Sequence, residues 1–272
     1  MIRRRLSVLG AAAAAALVLA GCSTSSPSES QPSTSAAASS LQQIQDAGVI
    51  TVGTEGTYRP FSFHEGGQGD LTGYDVEIVK AVADKLGVDV KFEETQWDAI
   101  FAGLDAGRFD VIANQVSINE ERQAKYDFSD PYTVSTGVVV VKSDNSDIAS
   151  LADLEGKTSA QSLTSNWYKL AEEAGANVQS VEGWAQAVSL LEQGRVDATI
   201  NDKLTYLDYQ ASHDNKDIKV AAETDEESQS AFTFRKGSED LVGAFDKALG
   251  ELRDDGTLAK ISEKYFGADV TK

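Results

Sequence analysis

The sequence predicts an α/β fold made of two matching halves, each a mainly parallel sheet flanked by helices. Two observations carry this. The first is an internal repeat. WDAIFAGLDAGRFDVIANQ (97–115) and WAQAVSLLEQGRVDATIND (184–202) align without a gap at an offset of 87 residues. Six of the 19 positions are identical: Trp97/Trp184, Leu104/Leu191, Gly107/Gly194, Arg108/Arg195, Asp110/Asp197 and Asn114/Asn201. Convergence on a common helix–glycine–strand pattern would supply the glycine, but it would not hold the two tryptophans in register. The second is the order of periodicities around each copy, which alternates strand and helix in the way that builds parallel sheets.

Each element follows from its pattern. Ile100, Phe101 and Leu104 in one copy, and Val188, Leu190 and Leu191 in the other, give an amphipathic helix after each tryptophan. Gly107 and Gly194 fit the helix C-termini. The short strands FDVIAN and VDATIN follow. Upstream, helical YDVEIVKAVADKLG (74–87) leads to strand VDVKF, and WYKLAEEAG (167–175) leads to NVQSV. Each half therefore reads strand, helix, strand, helix, strand. Ligands of such sheets bind beyond the carboxyl ends of the strands. That rule puts 114–117, with Asn114 and Gln115, and 201–202, with Asp202, on the two walls of one cleft.

Composition sets the outer limits. The chain has 272 residues, 41% of them apolar, enough for two lobes of ordinary size. A formal charge of −19 argues against nucleic acid as a partner. His64 and His213 lie far apart with no ligand spacing, so no metal and no other cofactor is expected. The N-terminus reads as a lipoprotein signal peptide over residues 1–21. Arg3, Arg4 and Arg5 precede an apolar run from Leu9 to Ala20, too short to span a bilayer, which ends in Leu19-Ala20-Gly21-Cys22. Cys22 is the single cysteine and the expected site of lipidation. Residues 22–40 contain no large apolar residue and read as a lipid-anchored flexible linker. The expected location is extracytoplasmic, on the outer face of the cell membrane.

The cleft residues suggest their chemistry. A desolvated amino-acid headgroup needs a guanidinium for its carboxylate and a carboxylate for its ammonium. Arg122 lies a few residues past the first strand end, and Asp202 ends the second. Each has a plainer alternative. Arg122 also reads as a solvated arginine beside Glu120 and Glu121, and Asp202 as the N-cap of the helix KLTYLDYQ. Tyr58 and Trp97 stand at strand-to-helix junctions on the ligand side, whereas Phe63 and Phe61 suit the core. Glu55, near the first strand end, is a further acid for a cleft.

Six motifs in order, VGTEGTYRPFSF, LTGYDVEIVKAVADKLG, GLDAGRFDVIANQVSI, ER…YDFSDPY, LADLEGK and LRDDGTLAKISEKYFG, make residues 41–269 resemble the polar amino-acid solute-binding proteins of ABC importers. The resemblance implies the two-lobe, type II periplasmic-binding-protein-like fold with two hinge strands, crossing near Thr133–Gly137 and Thr224–Gln229. Lobe 1 would comprise 41–134 plus 229–272, and lobe 2 would comprise 135–228. It further implies that Arg122 clamps the ligand carboxylate and Asp202 receives the ammonium. Ser117, Thr164, Ser165 and Asn166 would bond the same headgroup, and Tyr58 and Trp97 would flank the side chain. SLTSN (162–166) and ETQWDAIFAGLDAGRFDVIANQ (94–115) are most similar to the L-cystine-binding branch. There Asn114, Gln115 and Glu55 would meet the distal end of the ligand. The implied partners are an amino acid, the membrane permease and the lipid surface, with the protein a monomer. Arginine, lysine or glutamine is the alternative ligand. A cyclohexadienyl-dehydratase-like enzyme using Glu55 and Asp202 is the alternative activity, although no nucleophile–base pair, metal cluster or phosphate loop supports one.

Overall fold

The computed structural model describes residues 39–272. Cys22, the signal segment and most of the linker lie outside the described residues.

In chain order the first half contains α1 (Leu41–Ala47), β1 (Val49–Thr54), β2 (Thr57–Tyr58), β3 (Ser62–His64), β4 (Leu71–Thr72), α2 (Tyr74–Leu86), β5 (Asp89–Glu94), α3 (Trp97–Asp105), β6 (Val111–Ser117), α4 (Glu120–Gln123) and β7 (Tyr126–Phe128). A long strand, β8 (Thr133–Lys142), leads to β9 (Thr158–Gln161), α5 (Asn166–Glu173), β10 (Asn177–Ser180), α6 (Trp184–Glu192), β11 (Ala198–Asp202) and α7 (Lys203–His213). A second long strand, β12 (Ile218–Arg235), returns to α8 (Glu239–Asp254) and α9 (Thr257–Phe266).

The large sheet runs β10-β9-β11-β8-β12-β6-β1-β5, with β7 also paired to β12. Its two ends are built alike. In one, β1 sits between β5 and β6, all parallel; in the other, β9 sits between β10 and β11, all parallel. The repeat is therefore structural. Helices α3 and α6 start on Trp97 and Trp184 and end on Asp105 and Glu192, the same offset at both ends. Gly107 and Gly194 adopt φ 67° and 68° one residue past the caps. Their N–H groups donate to Leu104 O and Leu191 O, the left-handed helix ending that favours glycine. The repeated aspartates also act alike. Asp110 Oδ2 accepts from Thr51 N at 2.9 Å, and Asp197 Oδ2 from Thr158 N at 2.7 Å. Each pins its strand to the first strand of its own half.

Strands buried on both faces read as continuous apolar runs. Along β8, Val138 and Val140 enter one core while Val139 and Val141 enter another. Along β6, Val111 and Ala113 join the core under α2 and α8, while Ile112 and Val116 face Trp97 and Leu104 of α3. Four cores thus flank two half-sheets.

The two antiparallel crossing strands connect the lobes. Thr133, Val134, Ser135 and Thr136 pair with Ser230, Gln229, Ser228 and Glu227. The ladder shifts register between Glu223 and Glu227. A Cβ at Gly137 would meet the Trp167 ring at 2.5 Å, so glycine lets the hinge strand pass under that ring. Ser39 and Ser40, expected in the linker, are part of the globule. Ser39 bonds Asp110 and Arg235, and Ser40 caps α1.

Candidate functional site

A cavity of about 310 Å³ lies between the lobes. Nine of the residues singled out from sequence line it: Glu55, Tyr58, Trp97, Asn114, Gln115, Ser117, Ser165, Asn166 and Asp202. Eight come from the carboxyl ends of β1 and β6, the starts of α3 and α5, and the end of β11, where a parallel sheet presents its ligands, and Tyr58 comes from β2 of the small antiparallel sheet.

Two of the predicted residues are placed differently. Arg122 and Thr164 do not line the cavity. The Arg122 guanidinium is drawn to two carbonyls, donating from Nη1 to Ser117 O at 3.0 Å and from Nη2 to Thr164 O at 3.1 Å. It packs 5.4 Å from the Trp97 ring centre and 5.3 Å from that of Phe101. Thr164 faces the opposite lobe, because Asp98 Oδ1 accepts from both its N–H and its hydroxyl at 2.9 Å. Phe61 is core, as expected, whereas Phe63 is half-buried beneath Arg59, whose guanidinium lies 4.5 Å above its ring.

Asp202 fulfils both roles the sequence allowed, one on each oxygen. Its Oδ1 accepts from Leu204 N at 2.8 Å, capping α7, and from Ser135 Oγ at 2.7 Å. Its Oδ2 has no protein donor among the described residues. Burial raises the carboxyl to about 6. Glu55 is in a similar state. Asn114 donates from Nδ2 to Glu55 Oε2 at 2.7 Å and accepts from Glu55 N at 2.8 Å. Burial still raises Glu55 to about 7 against those bonds. Neither acid has a cationic partner among the described residues, and Arg122 there has no carboxylate partner. Burial lowers Arg122 to about 10, so it remains charged at neutral pH.

The amides serve mainly as braces. Asn114 is fully buried and engaged with Glu55 and with the Thr54 hydroxyl. Gln115 adopts φ 50°, a left-handed conformation rare outside glycine. Asp75, on α2, holds it there by accepting from Gln115 N at 2.8 Å and from Nε2 at 2.6 Å.

Sequence reasoning missed several wall residues: Gln161, Glu182, Trp184 and Asn201 all line the cavity. The repeat held a signal for two of them, because Trp184 is the counterpart of Trp97, and Asn201 that of Asn114. Asp75 had a weaker signal, an acid inside an otherwise apolar helix face. Glu182 and Gln161 had none.

The lobes also touch across the cleft. Tyr58 donates to Asn201 Oδ1 at 3.0 Å and accepts from Thr205 Oγ1 at 3.2 Å. Arg59 Nε pairs with Asp208 Oδ2 at 2.9 Å. With the Asp98–Thr164 bonds, these contacts join the two lobes around the cavity.

Two lobes on paired crossing strands, closed over a polar cavity lined by two carboxylates without cationic partners among the described residues, define a receptor for a small polar solute. The chain belongs to the bacterial extracellular solute-binding proteins, family 3, whose sequence profile matches residues 50–268. The L-cystine-binding protein TcyA of Bacillus subtilis (strain 168) is 58% identical over 229 residues, 84% of this chain and 85% of the relative. The L-cystine solute receptor of Neisseria gonorrhoeae, in its unliganded open conformation, is 49% identical and covers 85% of this chain and 98% of its own, with a TM-score of 0.58. An ancestral arginine-binding protein bound to arginine is 39% identical over 81% of this chain and 99% of its own, yet superimposes better, at 0.75. The fold is thus that of type II periplasmic binding proteins. The ranking of the two superpositions fits a structure in which the lobes are closed.

Proposed function

We propose that this chain is the substrate-binding component of an ABC importer, capturing L-cystine between its lobes and delivering it to a membrane permease. The observation that carries the reading is the set of unmatched buried charges: two carboxylates on the cavity wall, Glu55 and Asp202, and Arg122 packed against the wall residues Ser117 and Trp97. Burying a charge without a partner costs several kcal/mol, so each group calls for a counter-charge from the solute. Cystine supplies two ammonium and two carboxylate groups. Asp202 Oδ2 takes one ammonium, and the free N–H groups of Arg122 take the carboxylate beside it. Ser117, Ser165 and Asn166 bond that headgroup, and Tyr58 and Trp97 flank the disulfide, a polarizable group that suits aromatic edges. Glu55 takes the second ammonium. The cystine-binding relatives support this choice. Thr164 acts in closure and not on the solute. The lobes divide at 134/135 and 228/229, Cys22 carries the lipid anchor on the outer membrane face, and the monomer works as a receptor without catalysis.

A second reading, arginine as ligand, is favoured by Glu55, which would equally hold a guanidinium, and by the arginine-bound neighbour. A thiol reductant separates the two. Ligand at about 100 times its dissociation constant adds roughly 2.7 kcal/mol of stability, a rise of a few degrees in Tm. Reductant should abolish the rise given by cystine and leave one given by arginine. Arginine or glutamine stabilising the protein more than fresh cystine at equal concentration would overturn the cystine reading.

A further inference from the structure

The interlobe contacts outside the cavity form two clasps, built on different pairs of elements. In one, Asp98 of α3 accepts three bonds from the loop before α5: Thr164 N and Thr164 Oγ1 at 2.9 Å, and Leu163 N at 3.3 Å. Arg122 donates to the carbonyl of the same Thr164. The loop is thus gripped through its N–H groups, its hydroxyl and its carbonyl. In the other, Arg59 reaches Asp208 of α7 at 2.9 Å while its guanidinium lies over Phe63. The Asp208 side chain is only 14% exposed, whereas that of Arg59 is 49% exposed. None of Arg59, Asp98, Thr164 and Asp208 lines the cavity.

We propose that Arg59–Asp208 and Asp98–Thr164 are positioning contacts that set the closed fraction of the protein, and through it the affinity for every solute the cleft accepts. The proposal rests on the solute-binding reading of the cleft. The physical basis is linkage. A solute that binds only the closed form has an apparent dissociation constant equal to the intrinsic one divided by the closed fraction. Contacts made only on closing raise that fraction without touching the solute. They therefore scale all affinities by one common factor, whereas a cavity residue changes the ratio between solutes. One aspartate of the Arg59–Asp208 pair is mostly shielded, which places the pair toward the upper end of what exposed ion pairs contribute. Loss of the pair corresponds to a weakening of about three- to fivefold, and charge reversal goes further through repulsion.

The test uses Arg59→Asp, Asp208→Arg, the doubly exchanged variant, and Asp98→Ala. Titration calorimetry is run with cystine and with each other amino acid the parent binds. The expected result is a weakening by the same factor for every solute in each single variant, recovered in the exchanged pair. Parent-like affinity, factors that differ between solutes, or no recovery in the exchanged pair would overturn it. A second readout is independent of solute. Cysteine labels, one on each lobe of a Cys22→Ser chain, report the interlobe distance of the free protein. The single variants should shift that distribution to longer distances and the exchanged pair should restore it. If no amino acid binds the parent, the solute-binding reading fails, and the distance distributions still decide the clasps: unchanged distributions refute them.

Discussion

Asp202→Asn separates two roles that one carboxylate performs on different oxygens. Oδ1 accepts both structural bonds, from Leu204 N and Ser135 Oγ, while Oδ2 is left for the cavity. Asparagine keeps one carbonyl oxygen, so the α7 cap and the Ser135 bond survive. What changes is the cavity-facing atom, from an anionic acceptor to an amide donor aimed at the ammonium. Leaving one partner of a desolvated pair uncompensated costs about 3–5 kcal/mol, or roughly two to four powers of ten in Kd. The free protein should not suffer. Burial already holds this acid at about 6, so a neutral side chain relieves a penalty at neutral pH. The expected signature is a Kd raised about 100-fold or more by calorimetry, with an unliganded Tm at or above that of the parent. Asp202→Ala, by contrast, should also lose about 1 kcal/mol of stability with the cap. A Kd for Asp202→Asn within about threefold of the parent would reduce Asp202 to an N-cap and refute its role as ammonium partner.

Three further outcomes are expected. Arg122→Ala should weaken binding by a similar two to four powers of ten while the protein stays folded; near-parent affinity by calorimetry would remove Arg122 from the site. Affinity should rise as pH increases from about 5 to about 8, because burial raises Glu55 to about 7 and Asp202 to about 6, and their protonated forms offer an ammonium nothing. Raised carboxyls mean that the folded, empty protein binds more protons than the unfolded chain in this range. Their contribution to stability is therefore fully present below about pH 4 and is lost as pH climbs through about 6 to 7. Ligand binding near pH 6 should release protons, seen as a dependence of the calorimetric heat on buffer ionisation, and a flat affinity across the range would contradict the assignment. Cys22→Ala should abolish acylation and membrane partition while leaving affinity unchanged, and a chain begun at Ser39 should bind as the parent does; loss of affinity in the shorter chain would mean that residues before Ser39 belong to the binding fold.

How much of this was legible in the sequence depended on how local the signal was. The repeat marked both α3 and α6, because Trp97 and Trp184 begin them and Gly107 and Gly194 follow two residues after their ends, all within nineteen positions. The strand ends followed, and with them Asn114, Gln115, Ser117 and Asp202 on the cavity wall. Thr164 went astray for a non-local reason. Whether a loop residue faces the solute or the other lobe depends on Asp98, 66 positions away in sequence, and no pattern in the chain reports that pairing. Asp75 offered only a weak signal, an acid on an otherwise apolar helix face, and its partner was hidden. Its bonds to Gln115 span 40 positions, and they show the glutamine amide to be a brace for a left-handed turn, whereas its place at a strand end suggested a ligand contact. Arg122 was singled out by its proximity to a strand end, but its guanidinium is partly committed to the carbonyls of Ser117 and of Thr164, the latter 42 positions away.

The duplicated scaffold also explains why the site is polarised. Equivalent positions diverged at the two strand ends. In lobe 1 the pair is Asn114-Gln115, whose amides are engaged with Glu55 and Asp75; in lobe 2 it is Asn201-Asp202, where one amide reaches across to Tyr58 and one carboxylate oxygen stays free. After Ser117 the chain makes a turn that supplies Arg122, whereas after Asp202 it enters α7 at once. On the proposed reading this near-symmetric frame gives one amino-acid head Asp202, with Arg122 packed against the wall residues Ser117 and Trp97, and leaves Glu55 for the other end. On the cystine reading the two identical halves of the ligand meet unequal sites. One half is held by Arg122 and Asp202, and the other by Glu55 and neutral groups. A mixed disulfide of cysteine with a cationic thiol should then still bind, since one intact head satisfies the anchor and a single cation satisfies Glu55. Replacing the distal half by an anionic thiol should cost affinity, because it sets like charge against Glu55. Calorimetry with the two mixed disulfides decides the matter, and equal affinity for both would deny Glu55 its role.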